Sequence, residues 1–123
     1  APGIPATAGN ITIYILAQFA GAFVGAVLCW LAYKQHYDED CDPALKLGTF
    51  ATGPEIRNPL WNTITEAIGT WVLNPARDLS PRIAHAVLPI KGKGDSDWGY
   101  AWVPVVGPMI GAVLAALTYS IFW

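Results

Sequence analysis

Apolar residues dominate two long runs of this chain, and polar segments separate them. The first run extends from Ile11 to Tyr33 and the second from Ala101 to Phe122, and neither contains a charged residue. A helix needs about 20 predominantly apolar residues to cross the roughly 30 Å of hydrocarbon in a bilayer. Each run is therefore predicted to form a membrane-spanning helix.

Between these runs lies a shorter apolar stretch, from Leu60 to Leu73, whose only charged residue is Glu66. At 1.5 Å per residue, a helix over this stretch covers about 21 Å, which is too little for a full crossing. Proline disfavours helix in the residue before it, so Asn74-Pro75 ends the stretch. Residues 60–73 are therefore predicted to form a short or truncated span.

A half-length helix is predicted directly afterwards, over residues 74–88. Asn74 is a favourable N-cap, and Pro75 suits the first helical position. Asp78 falls in the first turn, where a carboxylate interacts favourably with the helix dipole.

The remaining segments, Lys34 to Pro59 and Pro89 to Gly99, are polar and contain several prolines and glycines. Such composition is typical of loops. The longer segment has three basic and five acidic residues. Cytoplasmic loops are enriched in lysine and arginine, so this balance mildly favours an extracellular loop over residues 34–59.

Overall composition supports lipid as the solvent. Only 13% of the residues are charged, against about 25% in a typical soluble domain. The predicted fold is an all-α membrane protein, a partial helical bundle of two full spans, one short span and one half-helix. Small residues recur at four-residue spacing, as expected where helices pack closely in a membrane, and they include Gly21, Gly25, Gly107 and Gly111.

The half-helix carries the most informative chemistry. Lipid tolerates a broken helix only where it is buried in protein or lines a cavity. At membrane depth, the Asn74 amide can donate to a passing hydroxyl, and Arg77 adds a permanent positive charge that repels protons and cations. The same residues also begin a helix well in any soluble protein, so the motif alone leaves both interpretations open.

Other reactive side chains give no sign of catalysis or metal binding. Cys29 and Cys41 have no metal-site spacing, and His36 and His85 lack partners at ligand spacing. The acidic residues 38–42 lack the glycine and glutamate of a calcium loop. The net charge of −2 suggests no nucleic-acid partner. The chain is predicted not to be an enzyme and to need no cofactor or metal.

The sequence Asn-Pro-Ala-Arg at residues 74–77 resembles the second Asn-Pro-Ala motif of the aquaporin family. Asp78, Arg82 and Pro104-Val105 resemble the glycerol-facilitator branch, or aquaglyceroporins, as does the loop at residues 52–59. Gln18 and Glu66 match family positions that brace the pore loops by hydrogen bonding.

This resemblance implies a passive channel for glycerol and small neutral polyols, and for water. It places the pore-binding residues at Asn74, Pro75, Ala76, Arg77 and Asp78, with structural support from Gln18, Glu66 and Arg82. It also implies a homotetramer of the complete protein, in which each subunit has its own pore, and a multi-pass location in the plasma membrane.

The chain departs from the family pattern of six spans and two Asn-Pro-Ala half-helices. It resembles span three, part of span four, the second half-helix and span six, and the join at Leu73-Asn74 looks like an excision. We expect residues 60–88 to form a re-entrant hairpin with both ends on one side of the membrane. The alternative function is a truncated, non-conducting fragment that at most binds full-length subunits.

Overall fold

A computed structural model of the chain describes residues 3–68 and 74–122. All regular elements in these two ranges are helices, which confirms the predicted all-α class. They are α1 (Ala8–Ala32), α2 (Lys34–Asp38), α3 (Pro43–Gly48), α4 (Pro59–Ile68), α5 (Pro75–Val87) and α6 (Val103–Phe122). Residues 69–73, the end of the predicted short span, lie outside the described ranges.

Helices α1 and α6 are long and apolar enough to cross a membrane. Helix α1 begins three residues before the predicted start because Thr7 acts as its N-cap, its hydroxyl accepting a hydrogen bond from the Asn10 N–H at 3.3 Å. None of the α1 side chains is buried. Most of the α1 surface is therefore available to lipid or to further protein.

The helices pack in two pairs, α1 with α5 and α4 with α6, and α5 contacts α6 between the pairs. A hydrogen bond ties the first pair together, because the Ser80 hydroxyl donates to the Phe19 carbonyl at 2.6 Å. Helix α5 therefore lies between the two membrane-length helices.

Residues 34–59 are more ordered than the predicted loop, because they contain α2 and α3. Lys34 and Asp38 form an ion pair one helical turn apart, which favours the first of these short helices. Asp42 caps the second, accepting from the Ala44 N–H at 2.9 Å, and Pro43 takes the first helical position.

These residues and the connector after α5 join into one layer at one end of the helices. We call residues 33–58 and 88–102 the cap layer. Lys46 Nζ donates to the Lys91 carbonyl at 2.6 Å, and Arg57 forms an ion pair with Asp97. The cap layer therefore gathers the C-terminal ends of α1 and α5 and the N-terminal ends of α4 and α6.

The closest approach of two helices occurs at Gly107 on α6. A Cβ placed there would lie 2.4 Å from the Glu66 Cβ and 3.2 Å from the Thr63 carbonyl oxygen. Gly111, one turn later, is buried as well. Glycine thus permits the α4–α6 contact, as small residues do between membrane helices.

The two predicted packing glycines of α1 behave differently. Gly21 and Gly25 are exposed, and a Cβ at either position would meet no atom within 4 Å. Among the described residues, an added methyl group at either position would therefore enter open space. That these glycines pack against another helix stays a prediction.

Gly107→Ala is expected to lower the free energy of unfolding by about 1–3 kcal/mol, the usual cost of overpacking a close contact. The added methyl group would overlap Glu66. Thermal unfolding in detergent, followed by circular dichroism, measures the effect. Gly21→Ala is the control, because its methyl group enters open space, and equal stability of the two variants would contradict the prediction.

Candidate functional site

The start of α5 is fixed by Asn74 and Pro75. Asn74 has extended backbone angles and its Oδ1 accepts from the Ala76 N–H at 2.9 Å, while Pro75 occupies the first helical position. This cap fixes the N-terminal end of α5, where the helix dipole is positive and the first backbone N–H groups have no carbonyl partner within the helix.

A second hydrogen bond sets the orientation of the Asn74 amide. Its Nδ2 donates to Gln18 Oε1 on α1 at 2.6 Å. With Oδ1 on its own helix and Nδ2 on α1, the amide is held at both ends. A carboxamide nitrogen carries two hydrogens, so the bond to Gln18 leaves one more donor on Nδ2. Gln18 thus contacts the motif itself, at its asparagine.

Asn74 and Arg77 face a groove of about 510 Å³ between α1, α5 and the cap layer. Small residues of α1 form one side of the groove. Asn74, Arg77 and residues 48–52 also line the groove. The α1 residues that line it are Ala22, Gly25, Ala26 and Cys29.

Four of the five predicted pore residues divide into two groups. Asn74 and Arg77 are exposed and line the groove. Ala76 is only 4% exposed, and neither it nor the half-buried Pro75 lines the groove. Both lie at the helix start, and their predicted contact with a solute stays a prediction.

Asp78 lines the groove but is only 4% exposed. Its Oδ1 accepts from the Thr52 N–H at 2.6 Å and from Arg82 Nη2 at 3.1 Å, and its Oδ2 accepts from Arg82 Nε at 3.0 Å. Both carboxylate oxygens are thus engaged by protein. Asp78 thus forms a structural ion pair, and its predicted contact with a solute stays a prediction.

Arg82 is fully buried and connects α5 to both parts of the cap layer. Besides Asp78, it donates from Nη1 to the Ser96 and Asp97 carbonyls at 2.8 and 3.0 Å, and from Nη2 to the Thr52 carbonyl at 3.0 Å. A guanidinium has five N–H donors, and all five are used here. Such full satisfaction is what permits a charge to be buried.

Glu66, the other residue predicted to give structural support, is 8% exposed and lies where α4 meets α6. Gly107 approaches its Cβ directly. Its expected role in bracing a pore loop remains a prediction.

Two lysines of the cap layer that bond to backbone carbonyls, the half-buried Lys93 and the buried Lys46, were not anticipated from the sequence. Lys93 Nζ donates to the His85, Ala86 and Leu88 carbonyls at 2.8, 2.6 and 2.8 Å, which satisfies the C-terminal end of α5. Lys46 Nζ makes a similar set of bonds to three carbonyls elsewhere in the layer. The only sequence signal for Lys93 is a basic residue shortly after a helix end, between Gly92 and Gly94.

The cap layer also has an aromatic core. Tyr37 and Phe50 are buried together, with ring centroids 5.7 Å apart, and Phe50 lies 5.4 Å from His85. Burial raises the pKa of the Tyr37 hydroxyl above its ordinary value. This hydroxyl remains protonated at neutral pH and shares a hydrogen bond with the Thr49 hydroxyl at 2.8 Å.

Among residues 3–68 and 74–122, no group of three or more histidine, cysteine, aspartate or glutamate side chains is arranged to hold a metal ion. Within the same residues, Cys29 and Cys41 are free thiols.

Comparison with known proteins identifies similar chains. The family described as major intrinsic protein matches residues 59–119. The "Glycerol uptake facilitator protein" of Streptococcus pneumoniae serotype 4 is 43% identical over 153 residues, with 92% of this chain and 65% of that protein covered. The protein of the same name from Bacillus subtilis is 41% identical, with coverages of 90% and 55%. An "Uncharacterized aquaporin-like protein" of Haemophilus influenzae is 35% identical, with coverages of 89% and 70%.

The two glycerol facilitators are thus longer proteins, of which this chain spans 65% and 55%. The stretch matched to the S. pneumoniae protein is 153 positions, longer than this chain of 123 residues. That protein therefore has residues inside the matched stretch that have no counterpart here. No solved structure matches the chain.

Arg82→Met is expected to lower the free energy of unfolding by about 3–5 kcal/mol, because it leaves a buried carboxylate without its partner. Combining it with Asp78→Leu is expected to recover part of the loss, since the charge is then removed as well. Chemical unfolding in detergent measures both variants. The control is Arg57→Met, which removes an exposed ion pair and is expected to change stability little. A similar loss in both single variants would contradict the role of the buried pair.

Proposed function

We propose that this chain, which belongs to the major intrinsic protein family, forms part of a passive membrane channel for glycerol and other small neutral polyols. One observation carries the proposal. A helix N-terminus, the Asn74 amide and Arg77 meet at one groove, beside a wall of small apolar residues.

This groove suits a polyol, which has hydroxyl groups along an apolar carbon chain. Asn74 Nδ2 and the Arg77 guanidinium donate to hydroxyl oxygens. The carbon side of the solute lies along the small residues of α1. Hydrogen bonds of this kind replace those that the solute loses on leaving water, so a neutral polyol enters without a large desolvation cost.

Charge makes the same groove unfavourable for cations. The positive end of α5 and the Arg77 guanidinium act in the same direction and repel protons and metal ions. Conduction of this kind is passive and needs no cofactor and no catalytic group. The names of the S. pneumoniae and B. subtilis relatives support glycerol as the solute.

The family places the chain in a membrane as a multi-pass protein. We assign it to the plasma membrane, with the cap layer on the extracellular side, and we infer a homotetramer of the complete channel. The excess of acidic over basic residues in the cap segment 34–58 supports this orientation.

Asn74→Asp is expected to reduce glycerol permeability of proteoliposomes about tenfold, because the solute loses a hydrogen-bond donor and the groove gains a negative charge. Aspartate caps a helix as well as asparagine does, so α5 is expected to remain intact. Stopped-flow light scattering measures the glycerol flux. Arg57→Ala, outside the groove, is the control for reconstitution.

Wild-type proteoliposomes that show no glycerol flux above protein-free vesicles, although the protein is folded, would overturn conduction by this chain alone. The alternative function, binding to full-length subunits, would then take its place. Equal flux in Asn74→Asp and wild type would instead exclude Asn74 from the solute path.

We infer that α4 and α5 form the predicted re-entrant hairpin, in which Pro59 and Pro89 lie on the same side of the membrane. Single cysteines placed at either position, with Cys29 and Cys41 replaced by serine, are expected to react equally with a membrane-impermeant maleimide added outside sealed vesicles. Labelling of one position only, before the vesicles are opened, would refute this topology.

A further inference from the structure

The ammonium group of Lys46 is buried in a cage of backbone carbonyls. Its side chain is 3% exposed, and Nζ donates to the Tyr37, Glu39 and Lys91 carbonyls at 2.8, 2.8 and 2.6 Å. These three acceptors come from both parts of the cap layer. An ammonium has three donors, so each of them has a partner.

Lys46 lies directly before the segment that forms the cap side of the groove. Residues 48–52 line the groove opposite α1, whereas Lys46 does not line it. Lys46 lines instead a neighbouring cavity of about 400 Å³. It can therefore affect a solute only through the segment that follows it.

Segment 48–52 is fixed at both of its ends and between them. Lys46 holds the start, and the Thr49 hydroxyl donates back to the Lys46 carbonyl at 2.8 Å. At the other end, the Thr52 N–H and carbonyl are bonded to Asp78 and Arg82. Phe50, in between, is buried against Tyr37.

We propose that Lys46 is a positioning residue that fixes segment 48–52 as a rigid wall of the groove, and so limits the size of the solute that enters. The proposal rests on the groove being the solute path. The partners of the Lys46 ammonium are three carbonyls rather than a carboxylate. They connect it to the backbone at three points, whereas a carboxylate would connect it to one side chain.

The cage is separate from the contacts that hold the helices together. Helix α1 is bonded to α5 through Phe19 and Ser80, and α4 approaches α6 at Gly107, and neither contact includes Lys46. Loss of Lys46 is therefore expected to loosen the cap layer locally while the helices remain packed.

Size-dependent labelling of the groove tests the proposal without requiring glycerol flux. The reporter is Ala22→Cys, on the α1 side of the groove, in a chain with Cys29 and Cys41 changed to serine. Its reaction rates with N-ethylmaleimide and with a neutral polyethylene glycol maleimide are compared in proteoliposomes. The ratio of the bulky to the small reagent reports the width of the entrance.

Lys46→Met retains the apolar stem and removes the donors. It is expected to raise the bulky-to-small ratio about tenfold, because the wall then opens more often. Lys34→Met is the matched control, since Lys34 is half exposed, forms an ion pair with Asp38 and lies over the Trp30 ring, away from the carbonyl cage. A purely structural loss would accelerate both reagents together and leave the ratio unchanged.

Thr49→Val provides a second variant if Lys46→Met does not fold. It keeps the ammonium and removes the hydroxyl that bonds both Tyr37 and the Lys46 carbonyl, and the same direction of change is expected. An unchanged ratio in a folded Lys46→Met or Thr49→Val protein would overturn the proposal. Absence of wild-type glycerol flux would overturn the proposed function, while the labelling ratio would still decide whether Lys46 fixes the wall.

Discussion

The buried pair of Asp78 and Arg82 is the interaction on which the arrangement of the groove depends. It joins α5 to Thr52 on one side and to Ser96 and Asp97 on the other. Because Asp78 directly follows Arg77, this anchoring also fixes the backbone from which Arg77 projects. A buried ion pair is weak evidence for stability in general. Here its value lies in specifying one relative position of three chain segments.

The pattern of apolar residues is sufficient to predict the all-α class and the two long helices, because burial in lipid requires unbroken apolar helices of a set length. The start of α5 follows from Asn74-Pro75 because capping is a local property. Helix bounds shift by a few residues where a cap such as Thr7 lies outside the apolar run. Apolar runs do not predict the short helices α2 and α3, because local ion pairs and caps determine them.

Contacts between segments that are distant in the sequence do not follow from its apolar pattern. Asp78 carries the same carboxylate whether it faces a solute or Arg82, and only the fold shows that its oxygens are occupied. The role of Lys46 is even harder to predict from the sequence, because its partners are backbone carbonyls, which every residue has. Gly21 and Gly107 have the same kind of spacing in the sequence, yet only Gly107 meets another described helix.

The residues that line the groove limit what can lie beside it. Asn74 and Arg77 are exposed, and an arginine facing hydrocarbon is costly, so this side of α5 is not expected to face lipid tails. The exposed small residues of α1, on the opposite side, leave room for another backbone to approach. The S. pneumoniae relative has residues inside the matched stretch that this chain lacks. In the proposed channel, the polar groups on one side of the groove and the small residues on the other form only part of the solute path.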